Sequence, residues 1–171
     1  RCNHATGREE DYVRNAIDRG FQILGFSDHS PHHFPDGYVS GFRMRMDQLK
    51  DYCDTVWRLQ KKYAAQICIP LGLEIENYPD ILPQTLPILR DAGVKYLILG
   101  QHFVGNEMGA HYSGTPTTDP DILKRYCRQA MDGMQTGLFT YLCHPDLIHF
   151  KGEEGLYREQ MRQLCREAKG C

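Results

Sequence analysis

The sequence predicts an α/β fold in which helices cover a parallel sheet. Amphipathic helical stretches alternate with short apolar runs, the pattern of strand–helix–strand units. The 171 residues are 41% hydrophobic and 25% charged, enough apolar surface for a core of about one domain. No internal repeat, low-complexity stretch or linker-like shift interrupts the chain.

The elements run in order along the chain. Thr6-Gly7-Arg8-Glu9 has the form of a capping box, and Val13, Ala16 and Ile17 give the apolar stripe of a first helix that Gly20 stops. Residues 21–26 form a buried strand. Met46, Leu49, Cys53 and Val56 mark a second helix running towards Tyr63, ahead of a strand over residues 67–73 that contains Pro70. A helix is predicted around residues 85–90, closed by Asp91-Ala92-Gly93, and a strand over 95–99. A polar loop spans 105–118. Asp119-Pro120 then opens a helix through about Met134, a fourth strand covers 138–143, and a last helix covers 157–168. Trp57 and the helical Tyr and Met positions belong to the core.

Composition excludes several functions. With 20 basic and 22 acidic side chains the formal charge is −2, and no basic block offers an electrostatic face to nucleic acid. No apolar run approaches the ~18 residues of a membrane span. Seven cysteines, an odd number without a Cys-x-x-Cys pair, fit reduced thiols in a cytoplasmic protein. No signal peptide is visible, although the chain opens on Arg1-Cys2-Asn3-His4 without a Met. The sequence carries no reading of oligomeric state.

The chemistry lies at the carboxyl ends of the predicted strands. The first strand leads into Ser27-Asp28-His29-Ser30-Pro31, the second into Glu74-Ile75-Glu76, the third into Gly100-Gln101-His102 and the fourth into His144-Pro145-Asp146. The carboxyl ends of parallel strands share one face, so these side chains converge where α/β enzymes place their sites. A single His or Glu at a strand end is commonly structural, but buried His and Glu are costly without partners, and packing alone does not explain four ends out of four. Imidazoles and carboxylates, without thiolates at matching positions, suit Zn, Mn or Fe in hydrolysis. Such metals acidify a bound water and stabilise charge on the attacked oxygen.

Four ordered strings carry a resemblance that runs through almost the whole chain. They are Gly25-Phe26-Ser27-Asp28-His29-Ser30-Pro31, Gly72-Leu73-Glu74-Ile75-Glu76, Leu99-Gly100-Gln101-His102-Phe103-Val104 and Cys143-His144-Pro145-Asp146-Leu147-Ile148. Together they resemble the polymerase and histidinol phosphatase (PHP) family, in its histidinol-phosphatase branch. The opening Cys2-Asn3-His4-Ala5 is similar to the family's Cys-x-His-Ala segment. The resemblance implies a distorted (β/α)7 TIM-like barrel and divalent metals, three in the complete domain. It implies that His4 and His29 bind one metal, that Glu74 bridges the other two, and that His102 and His144 bind the second of that pair. His29 and Glu74 are thereby the expected catalytic residues. Read alone, His4 is a terminal residue of no evident role.

Two family motifs are absent from the sequence: the His-x-His of the first strand and a late Asp-x-His. Four strands are also too few to close a barrel, which takes ~250 residues for eight strands. The expectation is a single PHP domain over residues 1–171, incomplete at both ends, lacking its first strand and its last strands.

A phosphate ester needs positive charge beside the metals. Arg43 and Arg45, alternating with Phe42, Met44 and Met46, are the candidates, and the resemblance favours Arg43. His32 and His33 are candidates for substrate binding or proton transfer. The 105–118 loop is a candidate lid. Asp146 is placed to orient His144. The predicted function is metal-dependent hydrolysis of a small phosphorylated substrate, L-histidinol phosphate, in histidine biosynthesis. The alternatives are another PHP phosphoesterase or nuclease, and a non-catalytic metal-binding remnant.

Overall fold

The computed structural model describes residues 1–109 and 111–170; Ala110, within the predicted 105–118 loop, and Cys171 lie outside the described residues. The chain divides into two compact units, Arg1–Glu74 with Pro83–Leu97, and Ile75–Leu82 with Ile98–Cys171.

In the first unit, helix α1 (Glu9–Asp18) buries Val13 and Ala16. The predicted capping box moves by two residues. Arg8 is the N-cap and Asp11 its reciprocal partner, accepting the Arg8 backbone N–H at 3.2 Å. Glu9, Glu10 and Asp11 crowd the first turn, where the helix dipole favours negative charge. Gly20, at φ 77°, ends the helix as expected. Strand β1 is Phe26–His29 rather than residues 21–26. Among the described residues a single bridge, Ile23 with Cys68, precedes it, and Phe21 and Ile23 stay exposed.

Helix α2 (Leu49–Tyr63) comes after a 3₁₀ turn at Met46–Gln48 and buries Leu49, Tyr52, Cys53, Val56, Leu59 and Tyr63, spacings that make one helical face. Strand β2 (Leu71–Ile75) starts just after Pro70, because proline lacks the N–H a ladder needs. It pairs parallel to β1 in the register Phe26↔Leu71 through His29↔Glu74. Helix α3 (Leu82–Asp91) and strand β3 (Tyr96–Leu99) complete a sheet of order β1-β2-β3. Trp57, predicted as core, is instead 37% exposed and lies over Gly93.

One close approach fixes this sheet. The Tyr96 ring lies flat against Gly72 and Gly25, leaving no room for a Cβ at either, and its hydroxyl donates to the Phe26 carbonyl at 2.9 Å. The Tyr52 hydroxyl also donates to the Gly72 carbonyl at 2.8 Å. Burial pushes the Tyr52 phenol well above its ordinary pKa, so it remains a donor. Gly72→Ala drives a methyl into the Tyr96 ring and is expected to cost about 1–3 kcal/mol. Urea denaturation measures it, and an unchanged midpoint would show that Tyr96 is free to swing away.

In the second unit, β4 (Phe103–Val104) and β5 (His111–Tyr112) pair antiparallel, so the predicted polar loop contains half a hairpin. Helix α4 (Pro120–Gln135) opens as predicted, with the Asp119 carboxylate accepting the Asp121 N–H at 2.8 Å. It packs Leu123, Tyr126, Cys127, Ala130 and Met131 with Leu164 of α5 (Glu154–Gly170). Burial pushes the Cys127 thiol up to about 12, which makes it a packing residue. The predicted strand over 138–143 is not formed among the described residues. Leu142 makes one bridge to Leu99, and Leu138 and Tyr141 are exposed, so the apolar run does not enter a ladder.

Candidate functional site

In the first unit the β1–β2 register builds the site. His29 is the last residue of β1 and lies directly opposite Glu74, so a parallel pair sets an imidazole beside a carboxylate, Nδ1 to Oε2 3.9 Å. The N-terminal segment brings His4 to the same end. Asn3 takes a left-handed φ of 62°, and the His4 ring meets the His29 ring edge-on with centroids 4.9 Å apart. Phe42 backs both rings, at 5.4 and 4.8 Å. Cys2, His4 and His29 each offer a ligand atom, all within 4.8 Å of one another. This corrects the expectation of a thiol-free cluster. The signal was present in the Cys2-x-His4 spacing.

Asp28 closes the other side. Its carboxylate accepts the Cys2 N–H at 3.4 Å. For Cys2 burial comes first, and with the hydrogen bond to Asp28 it raises the thiol pKa. These groups line a cavity of about 600 Å³ together with His4, His29 and Glu74.

The two arginine candidates separate. Arg43 is buried, 5% exposed, and donates from Nη1 to the Ser30 carbonyl at 3.2 Å. Its guanidinium lies 5.3 Å from the Phe42 ring centroid and 6.0 Å from that of Phe34. The Met44 N–H, donating to the His29 carbonyl at 3.3 Å, anchors this segment to the end of β1. Arg45 is exposed and pairs with Asp47 at 3.0 Å, away from the buried place that Arg43 takes. The histidine pair divides likewise. His32 is buried and shares a cavity of about 310 Å³ with Arg43, Phe34 and Tyr38. His33 is exposed and tied through its backbone N–H to the Thr85 hydroxyl at 3.0 Å.

The second unit carries its own histidine cluster. Leu99 donates to the Tyr141 carbonyl and accepts from the Cys143 N–H, both at 2.9 Å, which sets His144 beside the end of β3. His144 has a left-handed φ of 33°, unusual for a side-chain-bearing residue. Its ring lies 4.9 Å from that of His102, and its Nε2 lies 3.3 Å from the Cys143 Sγ. His102 Nδ1 meets Glu76 Oε1 at 2.7 Å, with Glu76 fully buried. Glu76 is the residue that sequence reading named but gave no role. Asp146, expected to orient His144, is exposed.

Nitrogen, sulfur and carboxylate donors at the end of a parallel strand pair fit a borderline cation such as zinc. Fold and site thus define an α/β protein with histidine, cysteine and carboxylate groups gathered closely enough to hold a metal ion. The PHP domain family matches residues 1–170, and the chain belongs to that family.

The chain is 27% identical over 158 residues to the protein named "Probable histidinol-phosphatase" of Deinococcus radiodurans, covering 85% of this chain and 57% of that protein. It is 32% identical over 110 residues to the Schizosaccharomyces pombe protein of the same name, covering 61% and 34%. The chain therefore spans about half or less of the length of these relatives. Among solved structures, a Listeria monocytogenes protein named as a histidinol phosphatase superposes with TM-score 0.76 at 18% identity, covering 99% of this chain and 75% of that one. The histidinol phosphate phosphatase of Lactococcus lactis, complexed with Zn, L-histidinol and phosphate, gives TM-score 0.69 at 18% identity, covering 96% and 64%. At that identity the likeness establishes a shared α/β fold.

Proposed function

We propose that this PHP chain serves metal-dependent hydrolysis of L-histidinol phosphate to L-histidinol and phosphate, a step of histidine biosynthesis. The observation that carries the reading is the convergence of Cys2, His4 and His29 within 4.8 Å, with Glu74 registered against His29. The names of the relatives and the zinc, histidinol and phosphate of the Lactococcus structure support the substrate.

A divalent ion held there supplies an acidified water and positive charge for the phosphoryl oxygens. The chain's own residues do the rest. His4 and His29 would hold such an ion, with the Cys2 thiol in reach, and Glu74 would contribute the carboxylate. Phe42 keeps both rings in place and excludes water from one side. Arg43, fixed by Ser30 and two aromatic faces, binds the phosphoryl group through its planar fork. His32, in the same cavity, donates the proton that the departing alkoxide needs. In the second unit His102 and His144 offer a further pair of ligands.

The β1-β2-β3 sheet is read as a stretch of the family's (β/α)7 barrel wall, in line with its parallel order and the fold likeness. The six cysteines among the described residues are free thiols, which supports a reducing, cytoplasmic setting. No described helix is long and apolar enough to cross a membrane. The test is phosphate release from L-histidinol phosphate, from unrelated monoesters and from a nucleic acid, using metal-replete full-length protein. Preferential release from histidinol phosphate is expected. Faster cleavage of nucleic acid, or no release at all, would overturn the reading.

A further inference from the structure

We propose that a cavity of the second unit, lined by no histidine, binds a small zwitterion, a free α-amino acid, with its carboxylate on Arg125 and Arg128 and its ammonium on Asp80 and Asp132. The cavity holds about 290 Å³ between helix α4 and the segments 77–81 and 105–106. That volume suits a small molecule rather than a peptide. Its walls are tied together. The Gln129 side chain donates to the Asn77 and Gly105 carbonyls and accepts the Gly105 N–H, all at 2.8 Å. Asn77 answers from Nδ2 to the Gln129 carbonyl at 3.2 Å, and Asn106 fixes its own loop by accepting the Met108 N–H at 2.9 Å. At Gly133 a Cβ would meet the Asn77 Cβ at 3.0 Å and the Leu99 Cδ2 at 2.8 Å, so the helix approaches this wall as closely as glycine allows. A cavity held in this way needs little ordering when a ligand enters.

The charges are arranged by sign. Arg125, Arg128 and Asp132 recur at i, i+3 and i+7 and line the cavity as one stripe of α4. The stripe is cationic at its first end and anionic roughly 10 Å further along the helix. Asp80 adds a second carboxylate from the facing segment. All four residues are exposed, and none of their side chains makes a hydrogen bond or ion pair among the described residues. Arg128 and Asp132 stand four apart with the basic residue first, the weaker order for a helical ion pair. Two guanidiniums and two carboxylates leave no net charge, which disfavours a bare anion. A zwitterion matches both signs: its carboxylate takes the planar guanidinium forks, and its ammonium supplies three donors to the acids.

The test titrates the full chain with each standard L-amino acid and with inorganic phosphate, reading affinity by isothermal titration calorimetry. At least one amino acid is expected to bind. Its amide, which lacks the carboxylate, and its N-acetyl form, which lacks the ammonium, should each bind about 10-fold or more weakly. The pair Arg125→Ala with Arg128→Ala, and the pair Asp80→Asn with Asp132→Asn, should each show a loss of the same size. These positions are exposed, and alanine favours a helix, so the variants are expected to fold, which circular dichroism checks. Should either pair fail to fold, Arg128→Gln and Asp132→Asn alone decide. No binding of any amino acid, or unchanged affinity in the variants, would overturn the proposal. Phosphate binding as tightly as the amino acid, and weakened in the arginine variants alone, would assign a plain anion site and overturn it as well.

Discussion

Glu74→Gln is expected to lose bound metal and phosphatase activity together, with kcat/KM falling on the order of 10³-fold, beyond the ~10–100-fold typical of a residue one shell further out. The substitution keeps the shape of the side chain and removes its charge. Glu74 lies opposite His29 in the β1–β2 register, its Oε2 3.9 Å from Nδ1, and its side chain is only 14% exposed. A neutral amide there neither balances a dication nor competes with water for it. Because Gln keeps the side chain's shape, the metal-free variant is expected to stay folded, which thermal unfolding beside metal-free wild type measures. That combination separates loss of ligand from loss of fold. Metal analysis and thermal unfolding measure it, and retention of both metal and activity would remove Glu74 from the site.

Arg43→Ala is expected to lower kcat/KM by about 10²–10³, the usual effect of deleting one donor to a charge that develops in the transition state. Arg43→Lys should recover only part of this, because lysine keeps the charge without the planar fork. The neighbouring Arg45→Ala serves as the control. Arg45 is exposed and pairs locally with Asp47, a contact that solvent screens. Steady-state kinetics with the substrate varied measure all three. Equal losses at Arg43 and Arg45 would point to general electrostatics, and an unchanged Arg43→Ala would remove that residue from the substrate side.

The helices were legible because their periodicity is local. Leu49, Tyr52, Cys53, Val56 and Leu59 can share a face only in a helix, and Asp119-Pro120 writes an N-terminus directly. The strands slipped. The apolar run over 21–26 leaves Phe21 and Ile23 exposed, while the ladder takes the polar Ser27, Asp28 and His29, because register is set by the partner strand. The run at 138–143 contributes one bridge for the same reason.

At the site, residue types at strand ends were enough to single out His29, Glu74, His102 and His144. Contacts that depend on three-dimensional placement were not legible. Arg43 and Arg45 differ by burial that their alternation did not reveal, and Glu76 reaches His102 across 26 residues with no periodic signal. Cys2 and His4 are close neighbours in sequence, but their approach to His29 joins distant parts of the chain.

The central claim is that these strand-end clusters hold a metal that hydrolysis requires. It is tested most directly by phosphate release from L-histidinol phosphate with protein stripped by a chelator and then resupplied with zinc, manganese or iron. The account predicts that release stops on stripping, returns with at least one of these ions, and does not return in Glu74→Gln. Undiminished release from protein shown by elemental analysis to be metal-free would contradict it.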